Sequence, residues 1–375
     1  RVGMARRTLT AWRGTSSPPE IVRAPENPII APRPDNPWEW HATFNPAALH
    51  FEGCVHLLYR AIGAGNVSVI GYASSEDGIH IDERADDPVY VPTQPFEITP
   101  PQARESRQER LYRRAYISGG GWGGAEDPRL TQIEDRIYMT YVAYNGFDPP
   151  RVAFTSISTE DFLARRWNWT PSRVISPPGV VDKNACLLPE KIGGKFVIFH
   201  RIFPDILIDF LDTLDFKEGE YLAGKYSIHP RPGYWDSRKV GAGPPPLKTR
   251  RGWLLIYHGV DDKDDTYYQV GVMLLGLDDP TKVISRPRYP IMKPQFRYEN
   301  EGHKAGVVYP CGAVILGERL LIYYGGADKF VCVAHVGLED ILDYLEEYRI
   351  SKVIGPRQRS EGGTSAREPD LKADP

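Results

Sequence analysis

A chain of 375 residues with a net charge of −3 carries no concentrated positive field, which argues against nucleic acid or an acidic membrane surface as its partner. Its composition, 41% hydrophobic and 25% charged, is that of a folded globular protein, and 35 Gly with 34 Pro predict many turns and few long helices. No run approaches the roughly 20 apolar residues of a membrane span, and residues 1–14 lack the apolar centre of a secretory signal, so a cytoplasmic location is expected.

Residues 1–30 read as an N-terminal extension, residues 31–350 as one domain, and the polar, Gly/Pro-rich residues 351–375 as a disordered tail. Within the domain one pattern recurs five times: a polar or Pro/Gly-rich start, an apolar strand, a tight turn, and a second strand ending in polar groups. The copies begin near Asn45, Asp127, Asn184, Gly243 and Pro310. Their turns fall at Glu52-Gly53, Glu134-Asp135, Gly193-Gly194, Arg250-Arg251-Gly252 and Gly317-Glu318, between β-branched or aromatic runs, and each is a hairpin signal. The chain between copies is long enough for two further strands. Four strands in each of five units predict an all-β fold, a five-bladed β-propeller. A generic β-sandwich is the other reading of short, evenly spaced strands, but it has no need for copies so alike. Cys54, Cys186, Cys311 and Cys332 stand in apolar strand-like runs without a CxxC pair or zinc-type spacing, and are read as reduced core residues. Leu338 to Tyr348 has apolar residues at helical spacing and predicts a short C-terminal helix packed on the outside.

In an antiparallel hairpin the first residue of one strand lies beside the last residue of the next, so both ends of each copy emerge at one rim. Those ends carry Asn45 and Arg60, Asp127, Lys183 with Asn184 and Arg201, Lys239 with His258, and Asp328. Singly, each has a plainer reading: an arginine at a strand end is often a surface ion pair, and Asp-Pro is a common turn opener. As a set, two carboxylates facing several cations predict a charged ligand, because such groups are costly to desolvate unpaired. Clustered cations suit an oxyanion such as phosphate, and an aspartate beside an anion is pushed toward the working range of a general acid.

The segments Asn45-Pro46-Ala47-Ala48 with Tyr59-Arg60-Ala61, Glu126-Asp127-Pro128-Arg129, Lys183-Asn184, Pro189-Glu190-Lys191, His200-Arg201, Gly241 to Pro246, Tyr257-His258-Gly259-Val260, and Tyr309-Pro310-Cys311-Gly312-Ala313 with Ala327-Asp328 occur in that order. Together they resemble glycoside hydrolase family 130, the β-mannoside phosphorylases and related β-mannosidases, from about Asn45 to Leu342. The resemblance implies a five-bladed propeller and an inverting mechanism in which Asp127 is the proton donor, acting through the mannosyl O3. It implies that Asn45, Arg60 and Asp328 hold the mannosyl unit. It further implies that Lys183, Arg201, Lys239, His258 and Tyr268 bind phosphate, Lys183 standing where some members have Arg. The implied reaction converts a β-mannoside and inorganic phosphate into α-D-mannose 1-phosphate and a shorter acceptor, with β-1,4-linked oligosaccharides or mannosyl glycans favoured and β-1,2-linked ones next. No metal or organic cofactor is expected.

The chemistry agrees with that implication. An inverting hydrolase needs a second carboxylate roughly 6.5 to 9.5 Å from the acid to activate water, whereas phosphate is already an anionic nucleophile that has only to be held. A β-mannosidase using Glu190, Glu299 or Glu301 as base is the alternative, and a non-catalytic sugar-binding propeller is the third reading. Between Arg60 and Asp127 lies a long segment, residues 94–124, whose Arg-rich part is read as a solvated loop or as a contact in a homo-oligomer. Trp122, at its glycine-rich end, is expected to reach the channel mouth and stack on the acceptor sugar.

Overall fold

The computed structural model describes residues 17–99 and 116–350. The Arg-rich part of the long segment and the C-terminal tail lie outside the described residues. Strand β1 (Val22–Arg23) comes first, followed by a meander of β2 (Ala42–Phe51), β3 (Cys54–Ile62), β4 (Ser68–Ser75) and the short β5 (Glu83–Arg84). A second meander runs through β6 (Gly124–Ile133), β7 (Arg136–Tyr144), β8 (Arg151–Ser158) and β9 (Arg173–Val174), with helix α1 (Thr159–Leu163) before its last strand. The third comprises β10 (Lys183–Leu187), β11 (Phe196–Ile202), β12 (Asp205–Leu211) and β13 (Tyr226–Ile228). In the fourth, β14 (Lys239–Ala242) and β15 (Leu247–Thr249) both pair with β16 (Gly252–Val260), which continues into β17 (Gln269–Leu275) and β18 (Val283–Ser285). After helix α2 (Arg297–Asn300), the fifth consists of β19 (Val308–Leu316), β20 (Arg319–Gly326) and β21 (Phe330–Gly337), and helix α3 (Leu338–Glu347) follows where a short helix was expected.

All five hairpins form at the expected turns. Glu52 and Gly53 at φ 50° and 71°, and Gly193 and Gly194 at 57° and 79°, have the paired positive φ values that match the right-handed twist of flanking strands. Among the described residues the fold is all-β with three short helices, none long and apolar enough to cross a membrane. Among the described residues, hydrogen bonding groups the strands into four sheets, because a parallel bridge between Ser68 and Gly124 joins the first two meanders, and none of these sheets closes on itself.

Residues 21–30 correct the expected N-terminal extension. Val22 and Arg23 pair with His335 and Ala334, so β1 is the fourth strand of the fifth meander. Ile21, Ala24 and Ile30 are buried there, and Ala24 and Ile29 donate backbone bonds to Val333 and Val331. Proline and asparagine interrupt this stretch and hide its strand character from a reading by period.

Among the described residues, five of the seven buried apolar clusters lie between meanders. Leu58, Ile70, Ile137 and Met139 fill the space between the first and second meanders. Val152, Ala185 and Ile198 fill that between the second and third, and Phe199, Ile206, Leu255 and Met273 that between the third and fourth. Ile256, Val272, Leu320 and Ile322 lie between the fourth and fifth, under α3, while Leu57, Tyr59, Leu321 and Val333 join the fifth to the first. Cys186, Cys311 and Cys332 are buried thiols and Cys54 is half-buried, as expected for reduced strand residues.

Glu299 clasps the seam beside β1. Fully buried, it accepts bonds from Arg23 Nε (3.0 Å), Tyr324 Oη (2.7 Å) and the backbone N–H groups of Gln295 (2.7 Å) and Phe296 (3.1 Å). Its donors leave it no role as a water-activating base. Glu299→Ala strands the buried Arg23 cation and should cost about 3–5 kcal/mol of stability, read as a lower denaturant midpoint.

Candidate active site

The repeat contains a device that its hairpin pattern conceals. In β2 the register passes from Phe44 opposite Arg60 to Ala47 opposite Leu58, so Asn45 and Pro46 together face one residue. The same bulge places Asp127 and Pro128 between Glu126 and Arg129 in β6, and Asn184 and Ala185 between Lys183 and Cys186 in β10. A register shift recurs at Cys311 in β19. A bulge bends its strand and re-aims a side chain. Asn45, Asp127 and Asn184 sit at φ 49°, 50° and 54°, a left-handed conformation that Asn and Asp tolerate better than other residues with a side chain. Asp328 shares it at φ 51°, in the turn between β20 and β21.

The bulges at Asn45 and Asp127 open onto one cleft, lined by Asn45, Arg60, Ser118, Asp127, Tyr268, Lys304, Tyr309 and Asp328 together with Phe44, Gly119 and Val307. Asp127 Oδ1 accepts from Asn45 Nδ2 at 2.7 Å and from Arg60 Nη1 at 3.3 Å. Arg60, completely buried, also donates to Ser68 Oγ (3.0 Å), the Ser118 carbonyl (2.6 Å) and Glu126 Oε1 (3.0 Å), and lies 4.7 Å from the centre of the Phe44 ring. Burial works against its charge, but Glu126, Asp127 and Asp328 outweigh it and hold the guanidinium protonated. Burial pushes Glu126 up to about 7 although Arg60 and Lys183 pull it down. Asp328 is raised as well, by burial first and by Asp127, against Lys304 and Arg60. A side chain at position 325 could not be accommodated, since a Cβ there would fall 1.9 Å from Asn45 Oδ1.

Tyr268 and Tyr309 form the boundary between this cleft and the cation cluster. Asn184 Nδ2 donates to Tyr309 Oη, and Arg201 Nε donates to Asn184 Oδ1 at 2.6 Å. Lys183 lies directly opposite Arg201 in the ladder. The His258 ring is 4.9 Å from that of Tyr309 and 5.6 Å from that of Tyr268, and Lys239 Nζ stands 5.0 Å from the Tyr268 ring centre. Gly241 permits the approach of His258 and Asn184, which a Cβ would meet at 2.4 and 2.6 Å. Arg60, Asp127 and Asp328 thus line the cleft, His258 and Lys239 stand against its tyrosines, and Arg201 reaches Tyr309 through Asn184, with Lys183 opposite it in the ladder.

Trp122 and two of the candidate bases stand apart from the cleft. Trp122 is 49% exposed and does not line the cleft. Its backbone N–H is committed to the Asn66 carbonyl, and of its loop it is Ser118 and Gly119 that reach the cavity. Glu190 pairs with Lys248 at the surface and Glu301 with Arg297, so neither supplies a base to the cleft. Conversely, Ser118, Lys304 and Tyr309 were not anticipated, nor was Arg129, which reaches the Ala242 carbonyl (3.4 Å) and stands 5.9 Å from the Tyr309 ring centre. Tyr309 and Arg129 stood inside recognised motifs, whereas Lys304 comes from a loop with no repeat signature.

Beneath Lys183 and Arg201, their chain neighbours Asp182 and His200 form a buried pair. His200 Nδ1 meets Asp182 at 2.7 Å and Nε2 meets Asp209 at 2.9 Å. Burial disfavours the imidazolium, but the two aspartates prevail and lift His200 to about 9. A histidine whose folded value exceeds its ordinary 6.5 contributes stability in full below 6.5 and loses it as pH rises through about 9. Glu126 acts in the same direction at lower pH, between 4.5 and about 7. The melting temperature should therefore fall between pH 6.5 and 9.5; a rise over that window would contradict the charged His200.

The model of glycoside hydrolase family 130, described as beta-1,4-mannooligosaccharide phosphorylase, matches residues 20–347. The 1,2-beta-oligomannan phosphorylase of Thermoanaerobacter sp. (strain X514) is 35% identical over 329 residues, covering 86% of this chain and 99% of that protein. The beta-1,2-mannobiose phosphorylase of the same strain is 36% identical over 336 residues, covering 86% and 98%. Among solved structures, the beta-1,2-mannobiose phosphorylase from Listeria innocua in complex with beta-1,2-mannobiose aligns with a TM-score of 0.66 at 26% identity, covering 87% of this chain and 99% of that one. With a family match over most of its length and relatives above 30% identity, the chain belongs to glycoside hydrolase family 130.

Proposed function

We propose that the chain is an inverting β-mannoside phosphorylase of a single domain, a five-bladed β-propeller, acting first on β-1,2-linked mannosides. The five apolar layers, each between consecutive meanders and the last returning to the first, support the ring. The linkage departs from the β-1,4 preference expected at first, because the two sequence relatives and the sugar-bound structure are all named for β-1,2 substrates. The observation that carries the reading is the meeting, across Tyr268 and Tyr309, of a carboxyl held by Asn45 and Arg60 with a cluster of four basic side chains.

Asn45 and Arg60 both donate to Oδ1 of Asp127, which leaves Oδ2 to carry the transferable proton. Asn45, Arg60 and Asp328 hold the terminal mannosyl unit. A phosphate oxygen forms the bond to C1 from the face opposite the departing group as the C1–O bond to the acceptor breaks, and the Asp127 proton passes by way of the mannosyl O3 to the departing oxygen. The products are α-D-mannose 1-phosphate and an acceptor one unit shorter. Arg201 clamps phosphate as a planar fork, Lys183 and Lys239 act as point charges, and His258 and Tyr268 complete its hydrogen bonds. No carboxylate base is required, which accords with Glu190, Glu299 and Glu301 being committed elsewhere.

Incubation with β-1,2-mannobiose should yield mannose 1-phosphate, detected by phosphorus NMR, only when phosphate is present; equal turnover in phosphate-free buffer would establish a mannosidase instead. Asp127→Asn keeps the shape and removes the acid, and kcat should fall by about 10² to 10⁴. Arg201→Ala should raise KM for phosphate by about tenfold or more while changing KM for the mannoside less.

A further inference from the structure

A cluster of rings that this chemistry does not use lies beside the cleft. His41 and His303 stack with centroids 4.1 Å apart and planes 16° from parallel, and Trp40, 48% exposed, meets His41 edge-on at 5.3 Å. The stack is fixed in place, since His303 Nε2 bonds the His41 carbonyl at 2.8 Å. It adjoins the cleft on two sides. The backbone N–H groups of His303 and Lys304 donate to the Ala327 carbonyl, next to Asp328, and Lys304 itself lines the cleft. Across the opening, Gly120, adjacent to the cleft-lining Gly119, faces His41 Nε2. Trp40, His303 and Gly120 are exposed whereas Asn45 and Arg60 are buried, so the rings stand on the solvent side, at the mouth. Burial, with His303 and Lys329 adding to it, lowers the His41 pKa and favours a neutral aromatic surface.

A glycan whose terminal unit occupies the buried cleft must leave through this mouth, and a pyranose presents a C–H face that packs on aromatic rings while its hydroxyls stay wet. We propose that Trp40, His41 and His303 form an acceptor-side subsite that stacks on the mannosyl units beyond the bond being cut, so that the chain favours oligomannosides over the disaccharide. The proposal rests on the phosphorolytic reading of the cleft.

The test compares kcat/KM for β-1,2-mannobiose and β-1,2-mannotetraose at saturating phosphate in wild type, Trp40→Ala, His303→Ala and, as control, Tyr289→Ala, an aromatic residue 49% exposed elsewhere. The tetraose-to-biose ratio should fall about threefold to tenfold in the first two variants, the loss of one aromatic contact, and hold in the control. An unchanged ratio in both Trp40→Ala and His303→Ala overturns the subsite. A wild type that releases no mannose 1-phosphate defeats the functional reading instead. Calorimetric titration with mannotetraose then decides the subsite by itself: weaker binding to Trp40→Ala supports it, and equal binding removes it.

Discussion

A single guanidinium organises the cleft. Arg60 is sealed from solvent, yet the atoms around it answer its charge: two carboxylates from β6, a serine from β4, a carbonyl from the loop before β6, and the face of Phe44. A buried charge so provided for fixes its partners as firmly as they fix it. Because Asp127 takes its orientation from Arg60 and Asn45, and both of these lie in the hairpin of the first meander, the acid of the second meander is set by the one before it. The site is therefore a property of the packing between meanders rather than of any one of them.

The charges are also arranged in depth. Glu126 lies next to Asp127 in the chain and shares Arg60 with it, but is buried more completely, and the two carboxyls thereby have unlike surroundings. Lys183 and Arg201 stand on neighbouring strands whose spacing is held from below by the Asp182–His200–Asp209 chain of hydrogen bonds. Basic residues that would repel one another are kept close by acids placed beneath them, where they do not compete for an incoming anion.

What could be read from the sequence was what is local. Alternating apolar residues around Glu52-Gly53 or Gly193-Gly194 specify a hairpin within a few residues, so all five hairpins, and the rim on which Asn45, Asp127 and Asp328 emerge, were foreseen. A bulge is different: it is a relation between two strands, and nothing in Asn45-Pro46 alone says that both residues oppose a single partner. Tyr309 was hidden for another reason, since an aromatic at a strand start reads as core, and its hydroxyl matters only through Asn184 from a distant meander. The partner of β1 lay farther away still, as the 276 residues separating Arg23 from Glu299 indicate.

That separation has a consequence for biosynthesis. β1 is translated before the strands β2 to β20, whereas its hydrogen-bonding partner β21 and the carboxylate that holds Arg23 follow long after it. Until both have emerged from the ribosome, Ile21 lacks the apolar surface that buries it, Ala24 and Ile30 have only the first-meander half of their layer, and the unpaired edge of β1 is free to recruit another strand. Pairing β1 with β21 closes a very long loop, and a nascent or heat-loosened chain exposes an unpaired edge at this seam.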